Sequence, residues 1–335
     1  MKIALIGTGS WGTAMAGLVA GHGHDVVMWS FEEAPALEIN TYHTNACYLK
    51  DFVLPNNVSA ATDFAEAFDG ADAAIFAVPS AFLRSVAHNC AEYVPEDLPV
   101  MCLSKGIEIG TGLLMSDVVA SEIGHPERIA ALSGPNHAEE ICHGALSAST
   151  IASESAEIGE FFKQLTLSQN FRVYLSTDMT GVELCGAMKN VIAIVCGIAA
   201  GLGLGDNALA LIMTRGLAEI SRLVHACGGE AITCMGLAGM GDLIVTCTSQ
   251  HSRNRTFGEA FAKGETLEEY QARRHMVVEG AVAAKSVSEL ARAKGVDVPL
   301  TFALEQLLYG DVSLDDALDI LVSRIPSEEF YGLDD

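Results

Sequence analysis

Positive charge is what this sequence has least of. It carries 19 Lys plus Arg against 43 Asp plus Glu, for a net charge of −24 over 335 residues. Nucleic acid and anionic membrane surfaces would be repelled, so neither is expected as a partner. The same scarcity makes each apolar-flanked cation informative, because a few placed side chains would have to meet any anionic ligand. Paired cysteines are missing too: the nine present show no C-x-x-C spacing and no metal-ligand pattern, so no metal is expected. The odd count, with no signal-peptide pattern at the start, points to a reducing cytoplasm. The uncharged run 191–205 is shorter than the roughly 20 residues a membrane span needs, and Gly197, Gly201 and Gly203 break it. No membrane insertion is expected.

Half of the residues are hydrophobic and only 19% are charged, which suits a folded chain with enough length for two cores. The first apolar run, Lys2 to Ile6, ends in Gly7-Thr8-Gly9-Ser10-Trp11-Gly12, and Thr13 to Ala20 reads as a helix. Strand, G-x-G-x-x-G and helix in that order form a dinucleotide fingerprint. Gly7 permits the tight turn, Gly9 lets backbone approach a pyrophosphate, and Gly12 allows close packing of helix on strand. The phosphates then meet the helix N-terminus.

A second strand, Asp25 to Trp29, leads into Ser30-Phe31-Glu32-Glu33, where such a fold meets the adenosine ribose. An acid there accepts from the ribose hydroxyls and repels a 2′-phosphate. No Lys or Arg lies between Lys2 and Lys50 to welcome that phosphate. NAD is the expected cofactor, with NADP use left open; the plainer reading makes Glu32 and Glu33 a solvated helix start.

Further strands are predicted at 73–78, 100–103 and 129–132, with two more at 149–152 and 171–174. Their loops carry Phe82, Lys105, and the run Ser133 to Ala138, and carboxyl ends of parallel strands line a ligand crevice. Lys105, just after a buried strand, is predicted to point into it. The fold class is therefore α/β, a Rossmann dinucleotide-binding domain over 1–178 followed by an all-α domain over 179–335.

Within the second half, Gly236 to Asp242 is a glycine-rich turn presenting one carboxylate. Thr246 to Arg255 is dense in hydroxyl, amide and guanidinium donors and holds no acid. Such a set suits a phosphate; it equally suits a polar loop capping a helix that begins near Thr256. Lys189 precedes the uncharged run. On a helix Cys185, Gly186 and Ala193 share its face, leaving room above an ammonium whose pKa apolar surroundings would lower. The alternative is a lysine that snorkels at a helix entrance. The acidic end from Pro326 reads as a frayed tail.

Taken together, these segments resemble the glycerol-3-phosphate dehydrogenase family. The resemblance rests on the fingerprint and on Leu103-Ser104-Lys105-Gly106, Ser133-Gly134-Pro135-Asn136, Glu183 to Asn190, Gly241-Asp242 and Ser252-Arg253-Asn254, in that order along nearly the whole chain. It implies reversible hydride transfer between NAD(P)H and dihydroxyacetone phosphate, giving sn-glycerol 3-phosphate for glycerophospholipid synthesis. A cytoplasmic homodimer is also implied. By resemblance Lys189 is the catalytic proton donor. Lys105, Gly134, Asn136, Asn190, Asp242, Ser252, Arg253 and Asn254 are substrate contacts, joined by Lys189 itself. Ser10, Trp11, Phe31, Phe82, Lys105, Ala138, Arg253, Val277 and Glu279 are cofactor contacts, added to Gly7, Gly9, Gly12 and Glu32. Many relatives carry Ser or Thr where Asn136 stands, and an amide still donates. Two rivals stand beside this reading: another two-domain dehydrogenase of the 3-hydroxyacid type, and a non-catalytic NADH-binding protein.

Overall fold

The computed structural model describes residues 1–274, 277–323, 328–329 and 331–332. The expected tail from Pro326 falls largely outside them. The chain divides into two compact units, Met1–Ser104 with Met115–Met179, and Lys105–Leu114 with Thr180–Asp335. The sequence reading runs its first domain unbroken to residue 178, whereas in the structure 105–114 leave that unit and join the second.

In the first unit the strands are β1 (Lys2–Ile6), β2 (Asp25–Trp29), β3 (Thr44–Asn45), β4 (Leu49–Val53), β5 (Val58–Ala61), β6 (Ala73–Phe76), β7 (Val100–Cys102), β8 (Ile129–Ser133), β9 (Ser147–Ala152) and β10 (Phe171–Ser176). Among the described residues, eight of them form one sheet in the order β10-β9-β8-β7-β6-β1-β2-β5. The strands β5, β2, β1, β6, β7 and β8 are mutually parallel. Apart from β5, their sequences are short, mostly apolar runs, and every residue of β6 and β8 is buried, as strands covered on both faces require. Ile3, Leu5, Ile75, Met101, Leu132 and Phe162 belong to the core this creates.

Three features depart from the sequence reading. β9 pairs antiparallel to β8 and carries β10 with it, so this edge runs against the rest of the sheet. β5 was not anticipated, because Val-Ser-Ala-Ala is too short and small to read as a strand. Neither was the small antiparallel hairpin β3–β4. The fingerprint helix also begins earlier than expected, spanning Ser10–Gly21.

From Met179, the last residue of the first unit, the chain turns helical, and the second unit is built on that helix. The helix, Met179–Gly201, is apolar on all sides and buried from Gly181 to Ile194. By length and composition alone this helix could cross a membrane, yet its most apolar window is 83% buried within the protein. Lys189 lies in the middle of the helix, so a lysine snorkelling at an entrance is excluded. Around it stand Asp206–Ala226, Asp242–Thr248, Arg253–Phe261, Glu279–Lys294 and Pro299–Tyr309.

Candidate active site

Of the predicted cofactor contacts, the fingerprint residues with Phe31, Glu32, Phe82 and Ala138 lie in the first unit, and Lys105, Arg253, Val277 and Glu279 lie in the second. Gly7 has φ +117°, and a Cβ there would sit 2.6 Å from the Ala77 carbonyl oxygen. A Cβ on Gly12 would lie 2.3 Å from the Gly7 carbonyl oxygen. Both positions therefore need glycine for space, and Gly7 for its backbone as well. A Cβ on Gly9 would instead meet nothing within 4 Å, so this glycine keeps clear the volume over the turn. Gly9 is also the N-cap of Ser10–Gly21 and has no side chain to occupy the first-turn N–H groups, which suits an incoming phosphate. The buried Trp11 Nε1 has no acceptor. An open cradle, an uncapped helix N-terminus and an orphaned donor fit a dinucleotide.

After β2, the Ser30 hydroxyl donates to the Glu32 carbonyl at 2.8 Å, and the Tyr48 phenol donates to the Glu32 carboxylate at 2.6 Å. Phe31 is 86% and Phe82 54% exposed, two rings open to a ligand. Ser10 donates through Oγ to the Tyr48 carbonyl at 2.6 Å. The Ala138 methyl packs in a small apolar cluster with Ala14 and Leu49, leaving its backbone as the part a ligand could meet. After β8, Gly134 adopts φ +154°, where a Cβ would lie 2.7 Å from Ser149 Cα, and Asn136 donates to Ser149 Oγ at 3.0 Å.

The charged centre belongs wholly to the second unit. Asp242 opens the Asp242–Thr248 helix and accepts from both lysines. Lys105 Nζ donates to its Oδ2 at 2.7 Å, and Lys189 Nζ donates to its Oδ1 in a short contact. Lys189 donates also to Thr246 Oγ1 at 2.8 Å, and that hydroxyl in turn donates to Asp242 Oδ1 at 3.2 Å. Lys189, Asp242 and Thr246 are buried. Burial, helped by the neighbouring Lys105 charge, lowers the Lys189 pKa to about 8 against the pull of Asp242. Burial pushes the Asp242 carboxyl up, but the two ammoniums outweigh it and hold the group below its ordinary value. One carboxylate thus fixes two cations side by side, and one of them is poised to exchange a proton near neutrality.

A second, neutral network lies along the same central helix. Asn254 Nδ2 donates to Asn190 Oδ1 at 2.9 Å, while the Gly280 N–H donates to Asn254 Oδ1 at 2.9 Å. Ser252 is the N-cap of Arg253–Phe261, its hydroxyl accepting from the Arg255 N–H at 3.2 Å. The helix thus begins at Arg253 and not near Thr256. Ser252 and Asn254 are buried and committed to these bonds, whereas Arg253 is exposed in the first turn. Glu279 opens Glu279–Lys294 and Val277 is half-buried before it.

The sequence reading does not include Tyr48, and it takes Thr246 only within a donor-rich run suited to a phosphate, not as a partner of Lys189 and Asp242. Thr246 carries a signal, since it stands four residues after Asp242 and shares its helix face. Tyr48 carries none, because its position depends on the unforeseen hairpin.

Residues 2–159 match the family described as the NAD-dependent glycerol-3-phosphate dehydrogenase N-terminus, and 178–319 match its C-terminus. This chain belongs to the NAD-dependent glycerol-3-phosphate dehydrogenase family. A glycerol-3-phosphate dehydrogenase [NAD(P)+] of Bacillus pumilus is 42% identical over 334 residues, covering 99% of this chain and 97% of the relative. One from Corynebacterium diphtheriae is 44% identical, covering 98% and 100%. The crystal structure of glycerol-3-phosphate dehydrogenase from Coxiella burnetii superposes with a TM-score of 0.92 at 36% identity, covering 96% of this chain and 99% of that one. The α/β class, a Rossmann-type unit with a helical partner, is the architecture of these relatives.

Proposed function

We propose that this chain interconverts dihydroxyacetone phosphate and sn-glycerol 3-phosphate through Lys189, using NAD(H) in preference to NADP(H). The observation that carries the catalytic part is the Lys105–Asp242–Lys189 cluster, with Asp242 and Lys189 buried, in a chain so poor in cations.

When bound, the reduced nicotinamide supplies the hydride. Lys189 in its ammonium form donates a proton to the ketone oxygen during reduction, and in its amine form takes that proton back during oxidation. A pKa of about 8 keeps both forms populated near neutrality. Lys105 adds positive charge beside the developing alkoxide, and Asp242 with Thr246 holds the Lys189 amine in place. Arg253, in the first turn of its helix, pairs with the substrate phosphate. Within the first unit Gly134 and Asn136 are substrate contacts and Ala138 is a cofactor contact beside the fingerprint residues; within the second, Asn190 is a substrate contact and Val277 and Glu279 are cofactor contacts. Preference for NAD(H) is supported by the Glu32 carboxylate after β2, which a 2′-phosphate would meet as a like charge. The physiological product serves glycerophospholipid synthesis.

A substrate panel tests the reading. Dihydroxyacetone phosphate should drive NADH oxidation, whereas dihydroxyacetone and 3-hydroxyacids with NAD should be poor. Equal use of the unphosphorylated ketone would remove the phosphate site, and cofactor binding without turnover would favour a non-catalytic protein. The proposal includes a cytoplasmic homodimer; a monomeric mass by light scattering would overturn the dimer.

A further inference from the structure

The adenosine-side carboxylate is not left to solvent. Glu32 is exposed, and a free glutamate could swing aside for a larger ligand at small cost. Here the Tyr48 hydroxyl donates to its Oε2 at 2.6 Å. Tyr48 sits in the turn of the β3–β4 hairpin, and that turn is tied to the fingerprint at several points. Asn45 Nδ2 donates to the Thr8 carbonyl at 2.7 Å and to Thr13 Oγ1 at 2.8 Å. Ser10 donates to the carbonyl of Tyr48 itself, and Leu49 is buried against Ala14. The hairpin is therefore fixed relative to the loop that would hold the pyrophosphate. A carboxylate fixed to the hairpin is fixed relative to the same loop.

We infer that Tyr48 is a specificity-determining positioning residue, pinning Glu32 where it accepts from the adenosine ribose and turns away a 2′-phosphate. The inference rests on the proposed preference for NAD(H). Tyr48 occupies one lone pair of Oε2, so Oε1 and the rest of Oε2 stay available to ribose hydroxyls. Pinning acts twice. It removes the side-chain ordering that NADH would otherwise have to impose, and it denies NADPH the rearrangement that would relieve charge repulsion. Burial, reinforced by the bond to Glu32, pushes the Tyr48 pKa up to about 12, so the phenol remains a donor throughout the working range. The proline-free hairpin turn and the acid after β2 are each unremarkable alone; their contact is what links cofactor choice to the fingerprint.

The test compares wild type, Tyr48→Phe, Glu32→Gln and the double variant, with kcat and KM for NADH and for NADPH at saturating dihydroxyacetone phosphate. Tyr48→Phe should lower the NADH-to-NADPH ratio of kcat/KM by about fivefold, the effect of one hydrogen bond. The change should lie in the two cofactor KM values, with kcat and melting temperature unmoved. In the Glu32→Gln background the same change should do nothing more. If Glu32→Gln lowers the ratio and Tyr48→Phe does not, Tyr48 loses its role while the Glu32 preference stands. An additive effect in the double variant likewise overturns pinning. If neither variant moves the ratio, the NAD(H) preference itself is wrong and the inference goes with it. Should Tyr48→Phe fold poorly, calorimetric binding of ADP against adenosine 2′,5′-bisphosphate at low temperature reads the same discrimination without turnover.

Discussion

Asp242 and Glu219 are each only 1% exposed, both within the second unit, yet they titrate in opposite directions. Glu219, on Asp206–Ala226, faces the start of Pro299–Tyr309, whose N-cap Val298 offers no capping side chain. It accepts from the Leu300 N–H at 2.6 Å, the Thr301 N–H at 3.3 Å and the Thr301 hydroxyl at 3.1 Å. Burial pushes its pKa up to about 7 despite these bonds. Asp242 suffers the same burial but has two ammoniums within hydrogen-bond reach, and its pKa is lowered. Neutral donors with only the Coulomb pull of Arg222 leave a buried carboxylate raised, whereas two ammoniums in hydrogen-bond contact keep one ionised. The first arrangement caps a helix, and the second, in the proposed mechanism, readies Lys189 for proton transfer.

The strongest blow to this contrast would come from the lysine itself. Lys189→Ala should reduce kcat by at least the ~100-fold typical of general-acid removal, with NADH binding by fluorescence titration retained. Retained turnover would take Lys189 out of the mechanism. Next in size is Asp242→Asn, which leaves the buried Lys189 and half-buried Lys105 ammoniums without their anion. Denaturant unfolding should register a loss of about 3 kcal/mol, the scale of breaking a buried pair. Its second effect is a sign that separates it from the Lys105 variant. In wild type, kcat/KM for reduction should need the ammonium and fall as pH rises through about 8, while kcat/KM for oxidation should rise there. Asp242→Asn removes the charge that raises the Lys189 pKa, so both limbs move to lower pH.

Lys105→Met removes the charge that lowers it, so the limbs move to higher pH and the KM for dihydroxyacetone phosphate rises. Limbs moving the same way in both variants would dissolve the triad. The smallest effect on activity belongs to Glu219→Gln, which should leave kcat unchanged. In wild type the native Glu219 pKa lies above its unfolded value, so its contribution is full below about 4.5 and is lost as pH rises to about 7. Melting temperature should carry that decline, a few degrees, and Glu219→Gln should flatten it. An unchanged slope would mean Glu219 ionises freely.

How much of this was legible can be judged residue by residue. The fingerprint was, because the positive φ of Gly7 and the close approach of Gly12 to the Gly7 carbonyl are set within a few residues. The central strands were, because burial on both faces writes an apolar run into the chain. The Val-Ser-Ala-Ala strand was not, since its pairing with β2 and not its composition makes it a strand. Reversal of β9 and β10 left no mark either, for strand direction is settled by connections and by neighbours.

What the amino-acid order determined by itself was local: a dinucleotide turn, an acid after the second strand, a lysine within an apolar helix, and too few cations to waste. Tertiary structure decided the partnerships. It carried 105–114 out of the first unit, so that Lys105 meets Asp242 across 137 residues of chain, and it laid Tyr48 on Glu32. Such contacts depend on where distant elements pack, and Coulomb and hydrogen-bond energies act over ångströms in space without regard to separation along the sequence.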